Sequence, residues 1–165
     1  MDRFRLRFLR EAELPPPGRV LAALPQGCHP VLLDSSDGGG TSLLAWSPDR
    51  ILQGRLRPGP PSSGTGPRAR WPLAVSDPGL LLERTTRDEV WLRDDAGPFP
   101  AAGWIGYLGF ECGHAVEPFP WTPPSPCGLP DFHLARYRRG LQFGPGGRAR
   151  LVWAEPLGAP SRART

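Results

Sequence analysis

Proline and glycine recur along the whole chain and limit the length of any helix or strand. The 165 residues include 23 Pro and 21 Gly, and both residue types interrupt regular secondary structure. We therefore expect short elements joined by long connections. Hydrophobic residues make up 39% of the chain, which is enough to bury one core. The length fits one domain and leaves no room for a second, catalytic domain.

All 20 basic residues are arginine, and the chain contains no lysine. This excludes a mechanism that uses a lysine amine as its nucleophile. The net charge of +4 and the pI near 9.6 leave an Arg-rich nucleic-acid-binding domain as an alternative class. Most of the arginines are scattered among acidic residues, so we interpret them as a solvated surface and expect no nucleic-acid partner. A strongly salt-dependent affinity for DNA would distinguish the alternative.

Neither a membrane span nor a secretory signal is evident. No apolar run approaches the roughly 20 residues that cross a bilayer, and residues 1–10 carry four Arg without an apolar signal core. Three cysteines without close pairing, Cys28, Cys112 and Cys127, argue against a disulfide framework. We expect a soluble cytoplasmic protein with reduced thiols and no membrane partner.

Hydrophobic patterning predicts a mixed α+β fold, mostly antiparallel β-sheet with a few short helices. The alternation RFRLRFL near the start is typical of an edge strand with one buried face. Residues 42–46 and 50–57 predict two strands joined as a hairpin. Further predictions are a helical turn at 19–24, a buried strand at 30–33, a helix from the N-cap Asp77, a buried strand at 104–108, a short helix at 110–117, and a hairpin of 140–143 with 148–154.

The run PVLLDSS ends a strand with an acid and two hydroxyls. Asp34 and Ser35 are suited to hold the charged ends of an amino acid, while apolar neighbours wall the pocket. The same side chains also suit a second role, in which they satisfy backbone groups of the following Gly-rich turn. Spacing alone does not decide between the two.

A second segment places Gly103, Gly106 and Gly109 at intervals of three residues. This is not the spacing of a dinucleotide fingerprint, and close packing of strands explains it better than a ligand does. The following Glu111, His114 and Glu117 can share one helical face, which suits either a metal or acid/base role or a solvated face.

The cysteines and histidines give no clear metal or nucleophile pattern. A zinc site would have to be assembled from three distant places, because the chain has no Cys-x-x-Cys pair. Cys112 and His114 are close in sequence, but side chains two residues apart usually point in different directions. We expect neither a metal site nor a catalytic residue in this chain.

Two motifs together resemble one family. HPVLLDSS followed by SLLAWSP resembles the LLES…YSFLG-x-x-P pattern, and GPFPAAGWIGYLGFECGHAVEPFP followed by LPDFHLARYRRGLQF resembles the GG-x-x-GY-x-GYD-x-GR-x-x-E-x-LP…PD…YD…FDH pattern. Both patterns belong to component I of anthranilate synthase and of aminodeoxychorismate synthase. The similarity covers residues 28–155, and the sequence departs from the pattern at Ala102, Phe110, Glu111, His114 and Arg138.

The resemblance implies that residues 1–155 form the N-terminal domain of component I, half of its two-domain sandwich, with 156–165 as a frayed tail. It also implies a tryptophan site, where Ser35 matches the LLES serine and Asp34 the acid; we expect Leu33 and Ser42 to contribute to it. In the anthranilate branch this site gives feedback inhibition.

The catalytic groups and Mg²⁺ of this family belong to a chorismate-binding domain that is absent from this chain. The expected partners are therefore a chorismate-binding domain or subunit and a glutamine amidotransferase subunit. They would act with this chain in para-aminobenzoate and folate biosynthesis or in tryptophan biosynthesis. We expect the chain to bind no cofactor and to catalyse no reaction by itself.

Overall fold

The computed structural model describes residues 2–9, 11–35, 40–56, 73–75, 78–93, 102–115 and 127–157. The chain forms two compact units. Unit 1 consists of residues 1–50, 88–105 and 136–165, and unit 2 of residues 51–87 and 106–135. The chain therefore crosses between the units four times, after Arg50, Arg87, Ile105 and Ala135.

The described residues form eleven strands and two α-helices, with two short 3-10 helices at Phe110–Ala115 and Pro145–Gly147. The bounds are β1 Asp2–Phe8, β2 Ala12–Glu13, α1 Pro17–Ala22, β3 Val31–Leu33, β4 Ser42–Ala45, β5 Arg50–Leu56, β6 Leu73–Val75, α2 Pro78–Thr86, β7 Glu89–Leu92, β8 Gly103–Leu108, β9 Phe132–Tyr137, β10 Arg139–Phe143 and β11 Arg148–Pro156.

Two sheets organise these strands. Unit 1 is built on a seven-stranded sheet in the order β3-β4-β10-β11-β1-β7, with β2 against β11. Its pairings are antiparallel except that of β1 with β7. A four-stranded sheet has the order β6-β5-β9-β8. The fold is α+β and dominated by antiparallel sheet, which confirms the predicted class.

Strand β1 shows what an alternating pattern does and does not predict. Phe4 and Leu6 are buried with Val152 and Ala154 of β11, so one face is buried as predicted. The expectation of an edge strand is wrong, because β1 pairs with β11 on one side and β7 on the other. A period of two indicates which face is buried and not how many neighbours the backbone has.

We expected the apolar run of β3 to be a buried strand. This prediction is also wrong, because β3 lies at one end of the sheet. Strand β3 pairs with β4 and is the last strand on that side of the sheet. Leu33 is 49% exposed. A short apolar run does not by itself distinguish a central strand from an edge strand.

Strands β4 and β5 form as predicted but not as a hairpin. Strand β4 pairs with β3 and β10 in the seven-stranded sheet, whereas β5 lies between β6 and β9 in the other sheet. Asp49 lies at the connection, where its N–H donates to the carbonyl of Arg136 over 3.0 Å. The Ser-Pro-Asp connection therefore redirects the chain from one sheet into the other.

Helix α1 begins at Pro17, where the missing N–H of proline costs nothing, and it corresponds to the helical turn predicted at 19–24. Its Val20 and Leu21 pack against the buried Leu44 and Phe143 of unit 1. This contact gives that end of the seven-stranded sheet its core.

In unit 2, helix α2 forms as predicted from Pro78, and Asp77, its predicted N-cap, lies outside the described residues. Leu56, Cys112 and Phe132 form the buried core, with Leu81 of α2 packed against it. The short helix predicted at 110–117 is a 3-10 helix as far as Ala115.

The hairpin predicted near the C-terminus is confirmed. Strands β10 and β11 are antiparallel in the register Phe143 to Ala149 and Arg139 to Trp153. Gly146 turns between them at φ 77°, a backbone conformation that glycine adopts without steric cost. The tail predicted to fray at 156–165 is ordered at its start, since Pro156 pairs with Phe4 and the N–H of Leu157 donates to the carbonyl of Arg3 over 2.7 Å; residues 158–165 lie outside the described residues. Within the described ranges no helix combines the length and hydrophobicity needed to span a membrane.

Candidate functional site

The structure brings together the three polar residues of the predicted tryptophan site. Leu33 of β3 pairs with Leu43 of β4, so the residues that follow and precede them, Asp34 and Ser42, lie at the same end of the two strands. The Ser42 hydroxyl donates to Asp34 Oδ1 over 2.6 Å. The backbone N–H of Ser35 donates to Ser42 Oγ over 3.0 Å.

This short chain of hydrogen bonds fixes the position of the Asp34 carboxylate. Ser42 is buried and uses its hydroxyl as both acceptor and donor, whereas Asp34 is exposed. A carboxylate has several acceptor positions beyond the one that Ser42 occupies, so Asp34 can still accept from an ammonium group. The same bonds also satisfy a backbone group at the end of the strand, the N–H of Ser35. This is the second, structural role that the sequence alone could not exclude.

Leu33, the fourth predicted residue, lies on the other face of the sheet. Side chains alternate along a strand, so Leu33 and its partner Leu43 share the face opposite to that of Ser42. Because β3 is the edge strand, a ligand that contacts Leu33 and Asp34 together would have to lie across that edge.

Close packing of strands, the explanation favoured from the sequence, is confirmed at Gly106 and Gly109 but not at Gly103, whose added Cβ would have no atom within 4 Å. A Cβ on Gly106 would lie 1.9 Å from the carbonyl oxygen of His133 in β9, and one on Gly109 would lie 2.8 Å from the carbonyl oxygen of Asp131. The prediction that 104–108 is buried is wrong, since β8 is an edge strand and Tyr107 and Leu108 are exposed.

Asp131, in the LPDF segment, has a structural role in unit 2. Its carboxylate accepts from the N–H of Leu56 over 2.9 Å, and its own N–H donates to the carbonyl of Gly54 over 2.9 Å. Its carbonyl accepts from Gly109 N–H over 2.7 Å. One residue thus joins strand β5 to the segment that follows β8.

Cys112 is placed as a core thiol and not as a nucleophile. It is buried, and its Sγ donates to the carbonyl of Asp131 over 3.2 Å. Burial and then the negative charge of Asp131 raise the pKa of the Cys112 thiol, which disfavours the reactive thiolate. The side chain of His114 and residue Glu117 lie outside the described parts. Among the residues described, no group of three or more His, Cys, Asp or Glu is arranged to hold a metal ion.

Sequence reasoning missed a charged cluster in the described part of unit 1, which centres on Arg136 of β9. Its guanidinium binds both carboxylate oxygens of Asp49, from Nε to Oδ1 over 2.8 Å and from Nη2 to Oδ2 over 3.0 Å. Nη1 donates to Glu89 Oε1 over 2.8 Å and to Asp2 Oδ2 over 3.1 Å. The side chain of Arg136 is only 8% exposed, so the interpretation of the arginines as a solvated surface is wrong for this one.

Glu89 completes the group that we call the Arg136 cluster, which consists of Asp2, Asp49, Glu89, Trp91, Trp104 and Arg136. The side chain of Glu89 is 3% exposed, and its Oε2 accepts the indole N–H of Trp104 over 2.9 Å and that of Trp91 over 3.1 Å. The buried carboxylate is therefore paired with one positive charge and two further hydrogen-bond donors, which offset the free-energy cost of burying it.

Asp49 and Arg136 shift each other's pKa. Burial raises the pKa of Asp49, but hydrogen bonds from Arg136 and Arg138 outweigh it and hold the pKa below its ordinary value. The hydrogen bond to Asp49 leads the causes that raise the pKa of Arg136. Asp49 and Arg136 are accordingly ionised at neutral pH, and their pairing has a structural role.

Comparison with models of known protein families finds none that matches this chain, and comparison with curated proteins finds no match either.

Proposed function

We propose that this chain is the N-terminal, tryptophan-site domain of a chorismate-using synthase component I, of the aminodeoxychorismate or anthranilate type. It would work with a chorismate-binding domain or subunit and a glutamine amidotransferase subunit. The observation that carries the proposal is the bonded group Asp34–Ser35–Ser42 at the paired ends of β3 and β4. The two segments of the first motif meet at the residues assigned to the ligand, Asp34 and Ser35 of the first segment and Ser42 of the second.

The chemistry of this group suits the amino-acid end of tryptophan. The Asp34 carboxylate is held by Ser42 and faces solvent, so it can pair with an ammonium group. A charge-assisted hydrogen bond contributes about 1.5 to 3 kcal/mol when it is shielded from water. Leu33, exposed at the sheet edge, offers an apolar contact for an indole that reaches around the edge.

The second motif supports the proposal through the fold. Gly106, Gly109 and Asp131 are the residues on which the packing of β8, β9 and β5 depends. These roles are structural. The second motif can therefore resemble the family pattern because the fold needs these residues, without binding any substrate. The catalytic step, amination of chorismate with glutamine-derived ammonia, would belong to the partner, as would the Mg²⁺.

The first test is turnover. The purified chain, given chorismate, ammonia and Mg²⁺, is expected to consume no chorismate. Addition of the chorismate-binding domain of an aminodeoxychorismate or anthranilate synthase is expected to give an active complex. Turnover by the chain alone, or no association with any such partner, would contradict the proposal.

The second test is ligand binding by calorimetry. The chain alone presents only part of a pocket, so L-tryptophan is expected to bind no more tightly than the millimolar range, about −4 kcal/mol. With the partner present, binding is expected to tighten, and Ser42→Ala should weaken it at least about tenfold by releasing Asp34. Thr86→Ala is the matched control, because its hydroxyl bonds only within helix α2 in the contacts seen for it. Equal binding by both variants would place the tryptophan site elsewhere.

A further inference from the structure

The Arg136 cluster lies at the points where the chain passes between its two units. Asp49 is one residue before the end of the first segment of unit 1, which finishes at Arg50. Glu89 is the second residue of the next segment, Trp104 the last but one of that segment, and Arg136 the first of the third. Each of the four crossings therefore has a cluster member within two residues of it.

These four members form one connected set of contacts inside unit 1. Asp49 binds Arg136 through two side-chain hydrogen bonds and through its backbone N–H. Arg136 binds Glu89, and Glu89 accepts from Trp104. The guanidinium of Arg50 also lies 5.8 Å from the ring centre of Trp104, so the first and third crossings are linked by a second contact.

Burial makes the contacts of this cluster cooperative. Arg136 and Glu89 are both almost fully buried. Loss of Arg136 would leave Glu89 as a buried carboxylate that accepts from two indole N–H groups but faces no cation among the contacts described, and loss of Glu89 would remove one of the three carboxylates that pair with Arg136. Removing one partner of a buried ion pair is much more destabilising than the loss of a surface pair. The contacts should therefore open together and not one at a time.

We infer that the Arg136 cluster is a clasp that couples the folding of the two units. Unit 2 consists of two chain segments, 51–87 and 106–135, and all four of their ends emerge next to cluster members. While the cluster is closed, both segments are closed loops, and the entropic cost of bringing their ends together is already met. Opening the cluster frees the four ends, so the amides of unit 2 should lose protection from hydrogen exchange. This would happen although no atom of the cluster belongs to unit 2. This inference is independent of the proposed function.

Hydrogen–deuterium exchange on the full chain tests the inference. The clasp variants are Glu89→Gln, which keeps the side-chain shape and removes the charge, and Arg136→Met. The control is Leu44→Ala, which weakens the other core of unit 1 and leaves the cluster intact. Exchange is followed at residues 51–56 and 132–135 of unit 2 and at strands β10 and β11 of unit 1.

In the clasp variants, exchange in unit 2 is expected to rise about tenfold or more, in step with unit 1. In Leu44→Ala, exchange is expected to rise in unit 1 and by less than about threefold in unit 2. Unchanged exchange of unit 2 in the clasp variants would overturn the inference, as would an equal rise of both units in the control. If Arg136→Met and Glu89→Gln do not fold, the same comparison is made with Asp49→Asn, whose side chain is more exposed.

Discussion

Replacement of Gly106 by alanine tests the close approach of β9 to this glycine. The added Cβ would lie 1.9 Å from the carbonyl oxygen of His133 and 2.8 Å from its carbonyl carbon and from the Cα of Leu134. Ordinary Cβ contacts begin at 3.4 Å, so the neighbouring strand would have to retreat by about 1.5 Å. All three atoms belong to the backbone, and no side chain can rotate away to make room.

The strand that would have to move is held on both sides. Strand β9 lies between β5 and β8, and its Phe132 is fully buried in the core of unit 2. Inserting one carbon into a well-packed site typically costs about 1 to 3 kcal/mol. With a rigid backbone as the neighbour, we expect Gly106→Ala to lower the free energy of unfolding by about 3 kcal/mol or more, which lowers Tm by roughly 6 to 12 °C for a chain of this size.

Gly18→Ala provides the matched control. Gly18 lies in helix α1 with no atom within 4 Å of its added Cβ and without a positive φ. The same chemical change should there raise the free energy of unfolding by about 0.5 to 1 kcal/mol, because alanine favours the helix. Urea denaturation followed by circular dichroism measures both. A Gly106→Ala protein within about 0.5 kcal/mol of the parent would refute the close packing of β8 on β9.

Two further predictions concern titratable groups. The depressed pKa of Asp49 means that its contribution to stability is full above the unfolded pKa near 3.9 and is lost as the pH falls through the lower folded value; Asp49→Asn should therefore be less stable at pH 7 and lose less stability between pH 5 and pH 2. Parallel pH profiles of the two proteins in urea denaturation would contradict this. Cys112 is buried with a raised pKa while Cys127 is exposed. With Cys28 replaced by Ala in both proteins, Ellman's reagent at pH 7.5 should therefore modify Cys127 in the Cys112→Ala protein at least about tenfold faster than it modifies Cys112 in the Cys127→Ala protein; equal rates in the folded proteins would show that Cys112 is accessible.

The sequence predicts where strands and helices lie better than it predicts which strands pair with each other. The alternation at β1, the helix from Pro78 and the Gly-rich hairpin of β10 with β11 all follow from local rules of periodicity and turn chemistry, and the structure confirms them. The predicted hairpin of β4 with β5 is wrong, because a turn brings two strands near each other without specifying that they pair. At Asp49 the hydrogen bond to the carbonyl of Arg136, a residue far along the chain, decides the direction instead.

The predicted site shows the same contrast between what local sequence predicts and what strand pairing decides. Asp34, Ser35 and Ser42 meet because they flank an antiparallel pair, and the resemblance of the first motif to the family pattern was what suggested it. Leu33 directly precedes Asp34, so alternation along the strand places the two on opposite faces in any register. Whether Leu33 lies beside Ser42 depends on the register of β3 with β4. Register is set by packing along the whole sheet and cannot be obtained from the motif.

The Arg136 cluster left one signal in the sequence that was not used. In the strand FHLARY, Phe132, Leu134 and Arg136 alternate on one face, and the first two are buried apolar residues. An arginine in the next position of that face has to be buried with them, and a buried charge requires a partner. The planar guanidinium can bind the two oxygens of Asp49 and still reach Glu89 and Asp2, which the single ammonium of a lysine cannot do in that geometry. Which acids become the partners follows only from the fold, since Asp2, Asp49 and Glu89 come from three separate places in the chain and meet only where β1, β7 and β9 bring them together.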